Sequence, residues 1–382
     1  MKDIYIQRAA AISPLGTSLD DIWEKVLVGA TAFGSAKLSA KQHFFAAETV
    51  PSSSSNMTVY APLFNDTVRA LVAELNIDAP VDAIFFATAV GNLAHVENEI
   101  YSKRIVDAEA LDFSATAKVF AETPAWGPNT RFICIPTGCC AGLQAAGLAR
   151  QVMHALNLRR AIVMSIDFGL TPLGYMAFDR INATIAFDES ITSSPSRPFC
   201  NDRSGFLFAD GGGAILVSTE SNPSSEQRES RISGYGCVSS AFHMTDIATD
   251  GGSIKASIKK AINEAGLAPE KISHVNLHAS GTQQNDAAEF QALSDIFGPK
   301  LPTITAFKGN HGHALGGANM IEIALSWKML TEQRLPRTPV GLAVDAYDNV
   351  GPRSASQPSK INAILKTASG FGGIHASLVM EN

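Results

Sequence analysis

Seven short apolar runs recur along the chain: AIFFATAV (83–90), RFICI (131–135), AIVMSI (161–166), GGAILV (212–217), HVNLHA (274–279), TITAF (303–307) and NAILKTA (362–368). Runs of this length, apolar on both faces, read as buried strands covered by helices on each side. Helix-like stretches, among them 142–156 and 252–265, lie between several of them. The alternation predicts a layered α/β fold. Two segments share one grammar. RFICI-PTGCCAGLQAAGLA and TITAF-KGNHGHALGGANMIEIALS each pass from a strand through a glycine-bearing turn into a helix of small residues, which predicts a duplicated half. The boundary is expected in the polar, turn-forming SNPSSEQRES (221–230), giving halves 1–225 and 226–382, and PSSSSN (51–56) reads as a surface loop.

Composition narrows the function. At 382 residues, 46% hydrophobic and 17% charged, with 30 Gly, the chain can bury a large core and is neither disordered nor fibrous. A net charge of −6 removes the broad basic field of a sequence-independent nucleic-acid binder, so nucleic acid is not an expected partner. The five cysteines (Cys134, Cys139, Cys140, Cys200, Cys237) form neither a disulfide framework nor a CxxC or Cys/His metal pattern. A reducing cytoplasm and no metal are therefore expected. The opening MKDIYIQRAAAISPLG has no signal-peptide core, and no run of 18 apolar residues occurs, which predicts a soluble, unexported protein with no membrane association.

Three strand ends carry chemistry. Thr137-Gly138-Cys139-Cys140-Ala141-Gly142 stands where a strand turns into a helix, and the positive end of a helix favours a nucleophilic thiolate. Spacing leaves open which of the two cysteines is the nucleophile. His278-Ala279-Ser280-Gly281-Thr282 ends another strand, followed by Asn285, Asp286 and Glu289. Active sites of α/β folds open at such strand ends. Lys308-Gly309-Asn310-His311-Gly312-His313 follows a third strand and sets two imidazoles and an ammonium in one turn. Together these are the elements of a Cys-His-His site.

Five segments in order also resemble the β-ketoacyl-acyl carrier protein synthases. TGCCAGLQA resembles their nucleophile motif, RPFCNDRSGFLFADGGGAILV resembles RPFDxxRxGFxxGEGAGxxVL, and HASGTQQNDAAE resembles HGTGTxxxDxxE. KGNHGHALGGA resembles KxxxGHxxGAxG, and SGFGGIHASLV the closing FGFGGxNAxLV. The resemblance implies an α/β fold of the thiolase-like kind, layered αβαβα and built from two similar halves. It also implies a dimer, an acyl carrier protein partner, and decarboxylative Claisen condensation in fatty acid or polyketide biosynthesis. It places Cys139 at the nucleophile position. Departures are Cys200 for Asp, Asp210 for Glu, His375 for Asn, and Ala279-Ser280 for Gly-Thr.

By the same resemblance the backbone amides of Cys139 and Phe371 form the oxyanion hole, and His278 and His313 stabilise the malonyl-derived enolate. Lys308, which stands in the catalytic motif, is expected to pair with Glu289, with Asp286 nearby, and so to orient His278. Ser280 and Thr282 are expected to bind the pantetheine arm, with Gly138, Phe206 and Phe371 completing the substrate contacts, while His311 is structural. No cofactor is expected, since the substrates ride on the phosphopantetheine of the carrier protein. The dimer is homodimeric or pairs with a chain-length-factor-like paralogue. Two other readings are a starter-type or thiolase-like enzyme using acyl-coenzyme A, for which Asn310 would complete Cys-His-Asn, and a non-catalytic chain-length subunit.

Overall fold

A computed structural model describes residues 3–39, 42–102, 113–221, 229–339 and 353–382. Five strands of the first half, β1 (Ile4–Ile12), β2 (Ala83–Ala87), β3 (Arg131–Ile135), β4 (Arg160–Asp167) and β5 (Gly211–Ser218), lie in the order β3-β2-β4-β5-β1. Five of the second half, β6 (Ser230–Ser239), β7 (His274–Asn276), β8 (Thr303–Thr305), β9 (Ala363–Gly370) and β10 (Ile374–Glu381), lie in the order β8-β7-β9-β10-β6. Strand for strand the two arrays match. The directions match too: β2 runs parallel to β3 and β4, and β7 to β8 and β9, while the remaining neighbours are antiparallel. The arrays join where Ile4–Ile6 pairs with Ser230–Ile232, so hydrogen bonding runs through ten strands.

Five helices complete the layers: α1 (Leu63–Glu74), α2 (Ala141–Ala155), α3 (Gly252–Glu264), α4 (Gln283–Phe297) and α5 (Leu315–Glu332). α2 and α5 pack on each other and each touches strands of both arrays, whereas α1 covers the first array and α3 the second. The result is the expected αβαβα sandwich. A central helix must be apolar on all sides, and α5 is buried almost all round. Small residues bring the two central helices close: a Cβ on Gly142 would meet the Gly316 carbonyl at 2.7 Å.

β2 is buried along its whole length, as its continuous apolar run requires. RFICI departs from that reading. Only Ile135 of β3 is buried and Arg131 is exposed, because β3 ends its array and pairs with β2 alone. The loop 51–56 is confirmed, although Ser53 and Ser54 are buried against the body. The expected boundary between residues 225 and 226 lies outside the described residues. Among the described residues no helix is long and apolar enough to cross a membrane.

Candidate active site

β3 ends at Ile135, and the chain turns through Gly138, whose φ of +78° is a left-handed conformation that favours glycine. A single 3₁₀ turn, Gly138–Cys140, then feeds α2. This geometry separates the two adjacent cysteines. Cys139 is 8% exposed and lines a cavity of about 280 Å³, while Cys140 is fully buried with Sγ 3.4 Å from the Ile374 carbonyl.

The backbone N–H groups of Phe371 and of Cys139 itself favour the thiolate form of the Cys139 sulfur. Burial pushes this thiol up to about 12, and the Asp167 carboxylate adds to the rise, against Lys308 and the two amides. The helix terminus was expected to favour thiolate. It contributes only about half an elementary charge, and desolvation of a buried anion outweighs it.

His278 follows β7 and His313 precedes α5, and their rings meet edge to face with centroids 5.4 Å apart. Both are buried. Burial first, then the Lys308 ammonium, holds both rings well below the ordinary histidine range, so they stand neutral. Phe206 packs edge-on against His313 at 5.0 Å. Seven residues expected from the sequence line the one cavity: Cys139, Phe206, His278, Ser280, Thr282, His313 and Phe371. Ser280 and Thr282 already bond each other at 3.0 Å, and Thr282 also caps α4 through the Asn285 N–H. Gly138 does not line the cavity; its part is the turn.

Lys308 does not pair with Glu289. Its Nζ donates to Glu322 Oε1 and to the His278 carbonyl, each at 2.7 Å, and it is 1% exposed. The reason lies in the layers: Lys308 reaches the central helix α5, which carries Glu322, whereas Glu289 sits on α4, packed against the outer α3. Glu289 instead accepts the N–H groups of His278 (2.8 Å) and Ala279 (2.9 Å) and the Thr367 hydroxyl (2.5 Å). Asp286 accepts the N–H groups of Phe199 (2.8 Å) and Gly281 (3.2 Å). Both carboxylates thus fix the backbone of the His278 segment. His311 is buried behind this layer with Nε2 3.9 Å from Glu322. Asn310, in the same turn, gives its amide to the Ala30 carbonyl at 2.8 Å and does not line the cavity.

Sequence reasoning missed Asp167, Asn319, Glu322 and Lys366. Asp167 accepts from the Thr88 hydroxyl and the N–H groups of Ala89, Val90 and Gly317, and burial pushes its carboxyl up to about 6. Asn319 donates to the Cys139 carbonyl. For Asp167, Glu322 and Lys366 the available signal was a charge within or closing an apolar run, in AIVMSID, MIEIALS and NAILKTA, because a buried charge needs a partner; Asn319 carried no such signal. Among the described residues no group of three or more His, Cys, Asp or Glu could hold a metal ion. A buried thiol flanked by two amides and faced by two neutral imidazoles can exchange thioesters and stabilise a developing oxyanion.

The duplicated five-layer sandwich with its cysteine on a strand-to-helix turn defines the thiolase-like fold class. Family models described as the beta-ketoacyl synthase N-terminal and C-terminal domains match residues 125–222 and 230–340, and the chain belongs to the beta-ketoacyl synthase family. It is 30% identical over 317 residues to the granaticin polyketide beta-ketoacyl synthase 1 of Streptomyces violaceoruber, covering 78% of this chain and 73% of that one. Matches to the first curated relatives span 59% to 73% of their length, under two thirds in several. Among solved structures, the AntDE:AntF complex of a type II polyketide acyl-carrier protein with its ketosynthase superposes with a TM-score of 0.82 at 22% identity, covering 100% of this chain and 99% of that one. The ketosynthase ApeO in complex with its chain length factor ApeC, from Xenorhabdus doucetiae, gives 0.76 at 21%, covering 100% and 98%.

Proposed function

We propose that this protein is a β-ketoacyl-acyl carrier protein synthase, an acyltransferase that extends a cysteine-bound acyl chain by two carbons from malonyl-acyl carrier protein. The observation that carries the reading is the single cavity shared by Cys139, the Phe371 amide and the neutral His278–His313 pair. In the first half-reaction Cys139 sulfur attacks the acyl thioester. The amides of Cys139 and Phe371 receive the oxyanion, each donor supplying about 3 kcal/mol. The carrier thiol departs with the proton that the cysteine gives up. In the second, the malonyl thioester loses CO2, and the enolate oxygen accepts N–H bonds from His278 and His313. The enolate carbon then attacks the Cys139 thioester, the β-ketoacyl carrier product forms, and the cysteine leaves as thiolate and regains a proton. No cofactor is consumed.

Ser280 and Thr282 face the pantetheine arm, and the Phe371 ring gates the acyl side. Lys308 acts from behind, by holding the His278 carbonyl. The partner is an acyl carrier protein, as the name of the AntDE:AntF complex records for its ketosynthase. The assembly is a dimer, of two copies or with a chain-length-factor-like paralogue, the latter as named for ApeO–ApeC. The setting is the cytoplasm. Mass spectrometry after incubation with acyl carrier and coenzyme A thioesters tests the reading. Acyl label on Cys139 from the carrier thioester, with CO2 release from malonyl carrier protein, is expected. Transfer from coenzyme A thioesters alone, or no β-ketoacyl product, would overturn it. Light scattering of the protein expressed alone separates the two dimers: a stable, condensing homodimer removes the obligate heterodimer.

A further inference from the structure

Two lysines meet one buried carboxylate. Lys366 of β9 is fully buried, with Nζ 2.7 Å from Glu322 Oε2, while Lys308 takes Oε1 at 2.7 Å. Lys366 also donates to the carbonyls of Thr367 (2.6 Å) and Leu277 (3.3 Å). The two ammoniums therefore grip successive carbonyls, of Leu277 and His278, where the chain leaves β7 and His278 enters the cavity. An uncharged side chain of similar size would fill this space without the desolvation cost of a second buried cation. Burial pulls Lys366 below the ordinary lysine range, and the carboxylates of Glu322 and Glu289 oppose that shift.

We propose that Lys366 is a positioning residue for the malonyl half-reaction: with Lys308 and through the shared Glu322 it fixes the His278 segment and sets a second ammonium near the two imidazoles. This rests on the condensing reaction proposed above. The groups around the rings are accounted for. His278 faces Lys308, His313, Lys366 and His375, with Glu289 on its peptide; His313 faces Lys308, His311 and Lys366. Glu322 lies nearest to His311 and the two lysines, and Cys139 lies across the cavity. Lys366 is one of the cations that depress both imidazoles.

Two partial reactions test the assignment on the full chain: acylation of Cys139, and decarboxylation of malonyl carrier protein as a function of pH. For Lys366→Met, acylation is expected to stay within about threefold of wild type, because it does not use the imidazoles. Decarboxylation is expected to fall roughly tenfold or more as His278 loses alignment. Its acidic limb should move to higher pH, because imidazoles relieved of a neighbouring cation protonate more readily. Lys366→Arg, which keeps the charge, should leave the limb in place, and it decides the matter should the Met variant not fold. A Met variant with wild-type decarboxylation and an unmoved limb, equal losses in both partial reactions, or an Arg variant with a shifted limb would each overturn the inference. Wild-type protein that releases no CO2 from malonyl carrier protein would instead overturn the proposed function.

Discussion

Asn319, on the central helix of the second half, hydrogen-bonds the carbonyl of Cys139 on the strand-to-helix turn of the first. A second link runs beside it, from the Gly317 N–H to Asp167 Oδ2 at 3.0 Å. Cys139 is thus held by Asn319 of α5, and the imidazoles reach it from strand ends of the other array. Neither half alone contains the site.

The cysteines should separate cleanly. Cys139→Ala is expected to abolish acylation by a carrier thioester, while Cys140→Ala, whose sulfur lies buried against the Ile374 carbonyl, should retain it. Peptide-resolved mass spectrometry checks this, and acyl label on Cys140 of the wild type would sink the assignment.

In the proposed reaction the imidazoles act after acylation. His278→Ala or His313→Ala should leave most self-acylation intact and lower malonyl decarboxylation by about 100-fold, the usual loss when one preorganised donor is removed. Single-turnover CO2 release is the measurement. Unchanged release in either variant would exclude that ring from the step.

What could be read in advance followed a physical divide. Cys139, His278 and His313 sit in glycine-bearing turns at strand ends, where polar residues interrupt apolar runs, while the choice of Cys139 over Cys140 and the part of Phe371 came from the family resemblance. Glu322 and Lys366 lie inside such runs, 14 and 58 positions beyond Lys308, so their meeting depends on how the layers stack. Glu289, expected from its motif position to partner Lys308, instead accepts the N–H groups of His278 and Ala279. The strand order was hidden for the same reason. Periodicity finds β2 and β4, yet gives no sign that β3 would end its array half exposed.

Gly142 tests the contact between the central helices. Alanine would gain up to about 1 kcal/mol of helix propensity. Its Cβ would press on the Gly316 carbonyl at 2.7 Å and crowd Asn319 Cβ at 3.2 Å. Overpacking of this kind costs about 1–3 kcal/mol. Gly142→Ala should therefore lower the urea midpoint of unfolding, with slowed acylation of Cys139 as the turn shifts. A midpoint at or above wild type would show that α2 and α5 can separate freely.

Protonation of Cys139 gives the last expectation. With burial pushing the Cys139 thiol up to about 12, the thiolate is a small fraction near neutrality and grows roughly tenfold per pH unit while pH stays below that value. Iodoacetamide labelling of Cys139, followed peptide by peptide, should therefore climb log-linearly from pH 7 to 9 without levelling. Cys134, half-buried and pushed up to about 11, should climb in parallel. A plateau for Cys139 below pH 9 would mean that the helix terminus and the Lys308 ammonium stabilise the anion more than burial disfavours it. Without a plateau, the proton leaves sulfur during acyl transfer, as the carrier thiol departs.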